Sequence, residues 1–252
     1  MIKYVLIIFF LFFITDKIFA QLPPIQLDRP DQTECPNIVP EKYIQVESGF
    51  TYEKINKEEK HFDYPASLIK YGLNDRFEYR LIVRYQTDKM EDNSISGFEP
   101  ITLGFKANYS EEHGLVPMAS FIGHITTSKV GSKGFQTTYI KPAFRFTMQH
   151  TLSKKSYLGY NFGAEWDGET PVPTYVYTLT TGTSFTEKLG GYIEFYGFAP
   201  VGSKANHRFD CGLTQLLNND LLIDLSGGFG LTENAPDYYV SLGISFRFKT
   251  TK

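Results

Sequence analysis

Hydrophobic and polar positions alternate strictly over residues 237–248. Tyr238, Val240, Leu242, Ile244, Phe246 and Phe248 share one parity, and Tyr239, Ser241, Gly243, Ser245 and Arg247 share the other. A strand sends successive side chains to opposite faces, so this stretch predicts a strand with one apolar and one polar face. The same period recurs upstream. Residues 42–54 set Ile44, Val46, Phe50 and Tyr52 against Gln45, Glu47, Gly49 and Thr51. Residues 76–87 set Phe77, Tyr79, Leu81, Val83 and Tyr85 against Glu78, Arg80, Arg84 and Gln86. Further strands are expected over 63–73, 99–109, 115–127, 135–148, 156–166, 174–185, 190–198, 207–216 and 220–231. The phase of 115–127 is ambiguous, because Phe121 and Ile125 oppose Met118 and Ile122. Residues 88–97 read as a polar loop.

These segments amount to about 12 strands of roughly 10–13 residues, the length a tilted strand needs to cross a bilayer. An even count is what single-chain bacterial barrels use. Tight connections such as Asn74-Asp75 and Asn218-Asn219 alternate with longer ones, and aromatic residues crowd the strand ends as in interfacial belts. No helical period is sustained after residue 20 to supply a second layer over the apolar faces. The expected fold is therefore all-β, an antiparallel up-and-down transmembrane β-barrel spanning residues 42–252. A closed barrel satisfies every backbone group internally, as lipid requires. The competing fold is a soluble β-sandwich or lipocalin-like barrel, with the apolar parity inside.

Residues 1–20 look like a secretory signal: Lys3 gives a positive start, an apolar run follows, and Ala20 precedes Gln21. The mean hydropathy of -0.24 resembles that of a soluble chain, but half of each barrel strand faces the lumen and hides the membrane signal. A net charge of -3 gives no ground for a nucleic-acid partner. Cys35 and Cys211 in an exported chain leave two readings open, a disulfide or two isolated thiols. None of the five histidines forms a zinc-binding spacing, and no nucleophile elbow is present, so neither a metal nor a cofactor is expected. His124, near Thr126 and Ser128, leaves one minor enzymatic reading, a lipid-facing His–Ser pair acting on outer-membrane lipid.

Residues 21–41 are rich in proline and polar side chains, which disfavours helix and central strand. The segment is either a solvated lead-in or an extended piece folded into the barrel mouth or lumen. If it folds in, Asp28, Arg29, Asp31 and Glu34 would meet the polar parity of the wall. That parity carries Glu47, Glu78, Arg80, Arg84, Lys106, Lys141, Arg145, Glu165, Glu194, Asp224 and Arg247. Charges of both signs there are either structural ion pairs or a lumen suited to a polar solute. Neighbouring strands predict Glu78 or Arg80 beside Lys106, and Glu47 beside Arg247 across the closing seam.

Asp28-Arg29-Pro30-Asp31-Gln32-Thr33-Glu34, followed by Gln45-Val46-Glu47-Ser48-Gly49, resembles a family of Gram-negative outer-membrane proteins described as transporters or as related to the meta-pathway of phenol degradation. Leu73-Asn74-Asp75-Arg76-Phe77-Glu78-Tyr79-Arg80 and Tyr192-Ile193-Glu194 fit the same pattern, and the style of the signal is similar to that of exported Bacteroidetes proteins. The resemblance implies an outer-membrane barrel. It also implies transport of hydrophobic or aromatic compounds; the expectation drawn from the whole sequence is a monomeric barrel in outer-membrane lipid, acting as a passive channel or transporter for small solutes. One departure is that Phe248 is followed by Lys249-Thr250-Thr251-Lys252, where such barrels often end on the aromatic residue. The alternatives are a closed structural barrel and a lipid-modifying enzyme.

Overall fold

Alternation becomes curvature and closure once each strand finds two neighbours. The computed structural model describes residues 22–250, so the expected signal at 1–20 lies outside the described residues. The strands are β1 (Tyr43–Lys54), β2 (Glu59–Asn74), β3 (Phe77–Met90), β4 (Asn93–Phe98), β5 (Thr102–Ser110), β6 (Met118–Thr126) and β7 (Lys141–Thr151). They continue with β8 (Ser156–Glu165), β9 (Thr174–Ser184), β10 (Leu189–Pro200), β11 (Asn206–Asn218), β12 (Leu221–Gly230) and β13 (Tyr238–Lys249). Neighbours are antiparallel, and β1 closes on β13 in continuous register from Tyr43↔Lys249 to Lys54↔Tyr238. The structure is thus a closed 12-stranded barrel with one extra strand.

The extra strand is β4. The lower part of β3 pairs with β5, from Phe77↔Ala107 to Ile82↔Thr102, and its upper part pairs with β4, from Tyr85↔Phe98 to Met90↔Asn93. β4 and β5 therefore share one barrel position, interrupted at Glu99, Pro100 and Ile101, where proline cannot donate to a ladder. Residues 88–97 are consequently hairpin rather than loop. The strand expected over 135–148 begins only at Lys141. Before it, Thr137 N–H donates to Ser128 O and Tyr139 N–H to Gly168 O, so bonds between loops replace the ladder.

The faces are inverted relative to a soluble barrel. Leu103, Ile125, Leu179, Ile193, Leu213, Leu225, Val240 and Leu242 are exposed on the outside, while Glu47, Lys70, Glu78, Lys106, Glu194 and Asp210 are buried inside. Outside, Phe77, Phe105, Phe121, Phe144 and Trp166 form a row across neighbouring strands with successive ring centroids 5.4–6.5 Å apart. The ambiguous β6 resolves with Phe121 and Ile125 outward and Ile122 and His124 inward, opposite Lys106 and Gly104. No helix among the described residues is long and apolar enough to cross a membrane; the strands do so. Short connections at 75–76, 152–155, 185–188 and 219–220 gather at the end where β1 begins and β13 finishes, the turn end. Longer ones, such as 127–140 and 166–173, gather at the loop end.

Leu242 lies mid-strand and outward between Leu225 and Phe50. Leu242→Arg should lower barrel stability by about 2–4 kcal/mol, the cost of a cation on the lipid face near the midplane. Urea unfolding in lipid vesicles measures this, and a wild-type midpoint would contradict lipid exposure.

Candidate functional site

The segment before β1 enters and leaves the lumen at the turn end. It is tied there by Ile25 N–H donating to Asn219 O (2.9 Å), Arg247 Nη2 donating to Pro23 O (2.7 Å) and Lys42 N–H donating to Gly72 O (2.9 Å). Between these ties it runs extended into the barrel. It has no ladder of its own, so its buried N–H groups need partners elsewhere. Prolines 23, 24, 30, 36 and 40 carry no N–H, and wall side chains accept four of the remaining donors. Asp28 N–H goes to Glu47 (2.9 Å), Gln32 N–H to Glu194 (2.7 Å), Glu34 N–H to Asn161 (2.7 Å) and Val39 N–H to Glu78 (2.8 Å). The alternation of β1, β3, β8 and β10 is what points these acceptors inward.

Asp28 is the centre of the site. Its carboxylate receives Lys70 Nζ (2.9 Å) from β2, Arg80 Nη1 (2.8 Å) from β3, Lys106 Nζ (2.8 and 3.0 Å) from β5 and the N–H of Cys35 (3.0 Å). Glu47 takes a second bond from Lys70, and Glu78 lies 3.0 Å from Arg80 and 3.8 Å from Lys106. Burial alone would raise the Asp28 pKa; Lys106, Lys70 and Arg80 outweigh it and hold the carboxyl well below the usual carboxylate range. Cys35, half-buried beside this carboxylate, has its thiol pushed up to about 12 by desolvation and then by the Asp28 charge.

Beyond Asp28 the segment forms a tip. Arg29 Nη2 donates to Asp224 (3.0 Å) and Ser241 (3.1 Å). Its guanidinium lies in a slot left by Gly49 and Gly243, which face each other across β1 and β13; a Cβ on either would overlap it. Thr33 hydroxyl bonds Glu194 and Thr178, and Glu34 carboxylate takes Arg80 Nη2 (2.5 Å) and lies 3.6 Å from Arg145. Asp31 sits beside Asp210, and burial first, then that neighbour, raises its carboxyl well above the usual range.

The tip lies between two cavities. One, about 300 Å³, opens at the turn end beside Ile25, Tyr157, Lys188 and Tyr192. The other, about 280 Å³, opens at the loop end beside Arg80, Arg84, Arg145 and Glu165. Both are lined by Arg29, Pro30 and Asp31, so these three residues form a thin partition between them.

The sequence profile of the family described as "Putative MetA-pathway of phenol degradation" matches residues 27–248. The chain belongs to this family. It is similar to an outer-membrane channel from Pseudomonas putida F1, at 12% identity and TM-score 0.66, with 88% of this chain and 100% of that one covered. It is similar to the NanC porin, at 8% identity and TM-score 0.56, covering 81% of this chain and 98% of that one. It is also similar to the KdgM porin in complex with disordered oligogalacturonate, at 8% identity and TM-score 0.53, covering 82% and 99%. At these identities the likeness is one of fold. No curated protein matches the chain.

Of the residues singled out in the sequence, Asp28, Arg29, Asp31, Glu34, Glu47, Glu78, Arg80, Lys106, Arg145 and Glu194 gather around the tip. Arg247 holds the base of the segment through Pro23 O and pairs with Asp220 (2.7 Å) instead of Glu47, because Gln45 is its neighbour on β1. Arg84 and Lys141 stay at the loop end, 3.2 and 4.0 Å from Glu99. Cys35 is in the lumen and Cys211 on the outer face; both are free. His124 faces inward and its Nε2 accepts from Arg80 Nε (3.2 Å), so it is not paired with a serine at the lipid surface. Lys70 was missed: β2 alternates weakly, and a lone lysine there gives little signal. Asn161 and Thr178 were missed because neutral polar residues carry no charge pattern.

Asp28→Asn should destabilise the barrel by about 3–5 kcal/mol, the cost of leaving buried cations without their counter-ion. It should also speed proteolysis of residues 28–39. Urea unfolding and timed digestion of the whole chain read both; wild-type behaviour in each would contradict the central role of Asp28.

Proposed function

We propose that this protein is a passive channel for small solutes in a Gram-negative outer membrane, restricted by its own N-terminal segment. The observation that carries this reading is the partition: two cavities of about 300 and 280 Å³, one from each end, approach the same three residues. We assign no catalytic step; His124 serves as a hydrogen-bond acceptor for Arg80. Supporting the reading is the fold shared with a protein described as a channel and with two described as porins. The family's link to phenol degradation makes small aromatic solutes the first class to test. The exported barrel acts as a monomer, with lipid covering its outer face.

The segment is packed by many ion pairs, which favours a second reading, a closed structural barrel. Planar-bilayer recording separates the two. Removal of residues 28–34 should raise single-channel conductance severalfold over the whole chain, because the partition goes while the strands stay. Unchanged conductance would end the restricting role, and a folded barrel silent in both forms would favour the structural reading.

A further inference from the structure

The two sides of the tip are not equivalent. Towards β2, β3 and β5, the carboxylates Asp28, Glu34, Glu47 and Glu78 are matched by Lys70, Arg80 and Lys106, with Arg145 adding to Glu34. Towards β10, β11 and β12 the wall presents Glu194, Asp210 and Asp224, and the tip adds Asp31. Glu194 and Asp210 are direct cross-strand partners on the inner face. Arg29 serves Asp224 (3.0 Å), and Arg208 further along β11 serves Glu53 (2.9 Å). Among the described residues, no lysine or arginine forms an ion pair with Asp31, Glu194 or Asp210.

Among the described residues, five of the eleven buried side-chain polar atoms without partners lie on this wall: Asp210 Oδ1, Asp224 Oδ2, Tyr192 Oη, Ser226 Oγ and Ser245 Oγ; three others, on Asp63, Arg84 and Gln86, lie towards the loop end of β2 and β3. Each belongs to a buried residue on the inward parity of β10 to β13. A desolvated polar group without a partner is costly, so a set of them on one wall marks a place that water or an ion fills. Tyr192 also lines the turn-end cavity, which reaches the partition at Asp31. A cation beside these carboxylates supplies the positive charge that burial otherwise demands from a proton.

We infer that the path between the two cavities runs along the β10–β12 wall, past Asp31, Glu194 and Asp210, and that it passes small monovalent cations in preference to anions. Acidic side chains lining a narrow path select cations by favouring their entry and raising the barrier to anions. This rests on the channel reading above.

The test is the reversal potential in an about tenfold KCl gradient across a planar bilayer, with the whole chain and the Glu194→Gln/Asp210→Asn double variant. Both are first checked for heat-modifiable migration in SDS, which reports a folded barrel. The whole chain should prefer K⁺ over Cl⁻ severalfold, and the ratio should fall towards one in the double variant. A non-selective or anion-selective whole chain, or an unchanged ratio in the variant, overturns the inference and leaves the channel reading intact. A second pair carries Arg29→Gly, Pro30→Gly and Asp31→Gly together, with and without the two wall substitutions. If the whole chain is silent, the ratio in this opened pair decides by the same criterion. Silence of the opened barrel overturns the channel reading and the inference together.

Discussion

The structure depends on one constraint: a carboxylate and three cations share a space that excludes bulk water. Lys70, Arg80 and Lys106 project from three neighbouring barrel positions, and Glu47 and Glu78 alone leave them short of negative charge. Asp28 fills the gap from a segment that belongs to none of the strands. The desolvation that makes any buried charge costly makes an unmatched one costlier, so the segment and the wall are each incomplete without the other. This explains how a segment with five prolines and no secondary structure of its own takes a defined course through the lumen: its direction is set by where the wall places its acceptors.

The barrel and its filling solve opposite problems with one device. Outside, the alternating parity offers aliphatic and aromatic side chains to lipid, which makes no demand for hydrogen bonds. Inside, the other parity must serve a backbone that has no ladder, and Glu47, Glu78, Asn161 and Glu194 do so as acceptors. The service is uneven around the circumference. Ion pairs surround Asp28 on the β2–β5 side, whereas the β10–β13 side keeps acidic and hydroxyl atoms without partners around the tip.

Strand parity was legible in the sequence wherever one face is apolar over a full crossing, as in β1, β3 and β13, because lipid rewards every outward position. It failed where loops supply the bonds. Before β7 the alternation runs on, but Tyr139 and Thr137 bond to loop carbonyls, and at β4 a polar stretch still pairs because β3 continues past the end of its ladder with β5. The motif resemblance acquires a physical meaning from the contacts. Gln45, Glu47 and Gly49 are the inward residues of β1 on which Gln26, Asp28 and Arg29 rest, so two motifs apart in sequence are two halves of one interface. Glu78, Arg80 and Glu194 belong to the same interface from other strands. The pairing of Glu47 with Lys70 rather than Arg247 was not legible, since it depends on which of two neighbours the segment leaves free.

The claim that the segment is an ordered part of the lumen is tested most directly by hydrogen exchange of the folded whole chain in lipid nanodiscs, resolved over residues 25–40. The account predicts protected amides at Asp28, Gln32, Glu34, Cys35 and Val39, whose N–H groups end on side chains inside the barrel, with exchange slowed at least about a hundredfold relative to an open chain. Exchange of these five at the rate of an unstructured peptide would contradict it, and would return the segment to solvent.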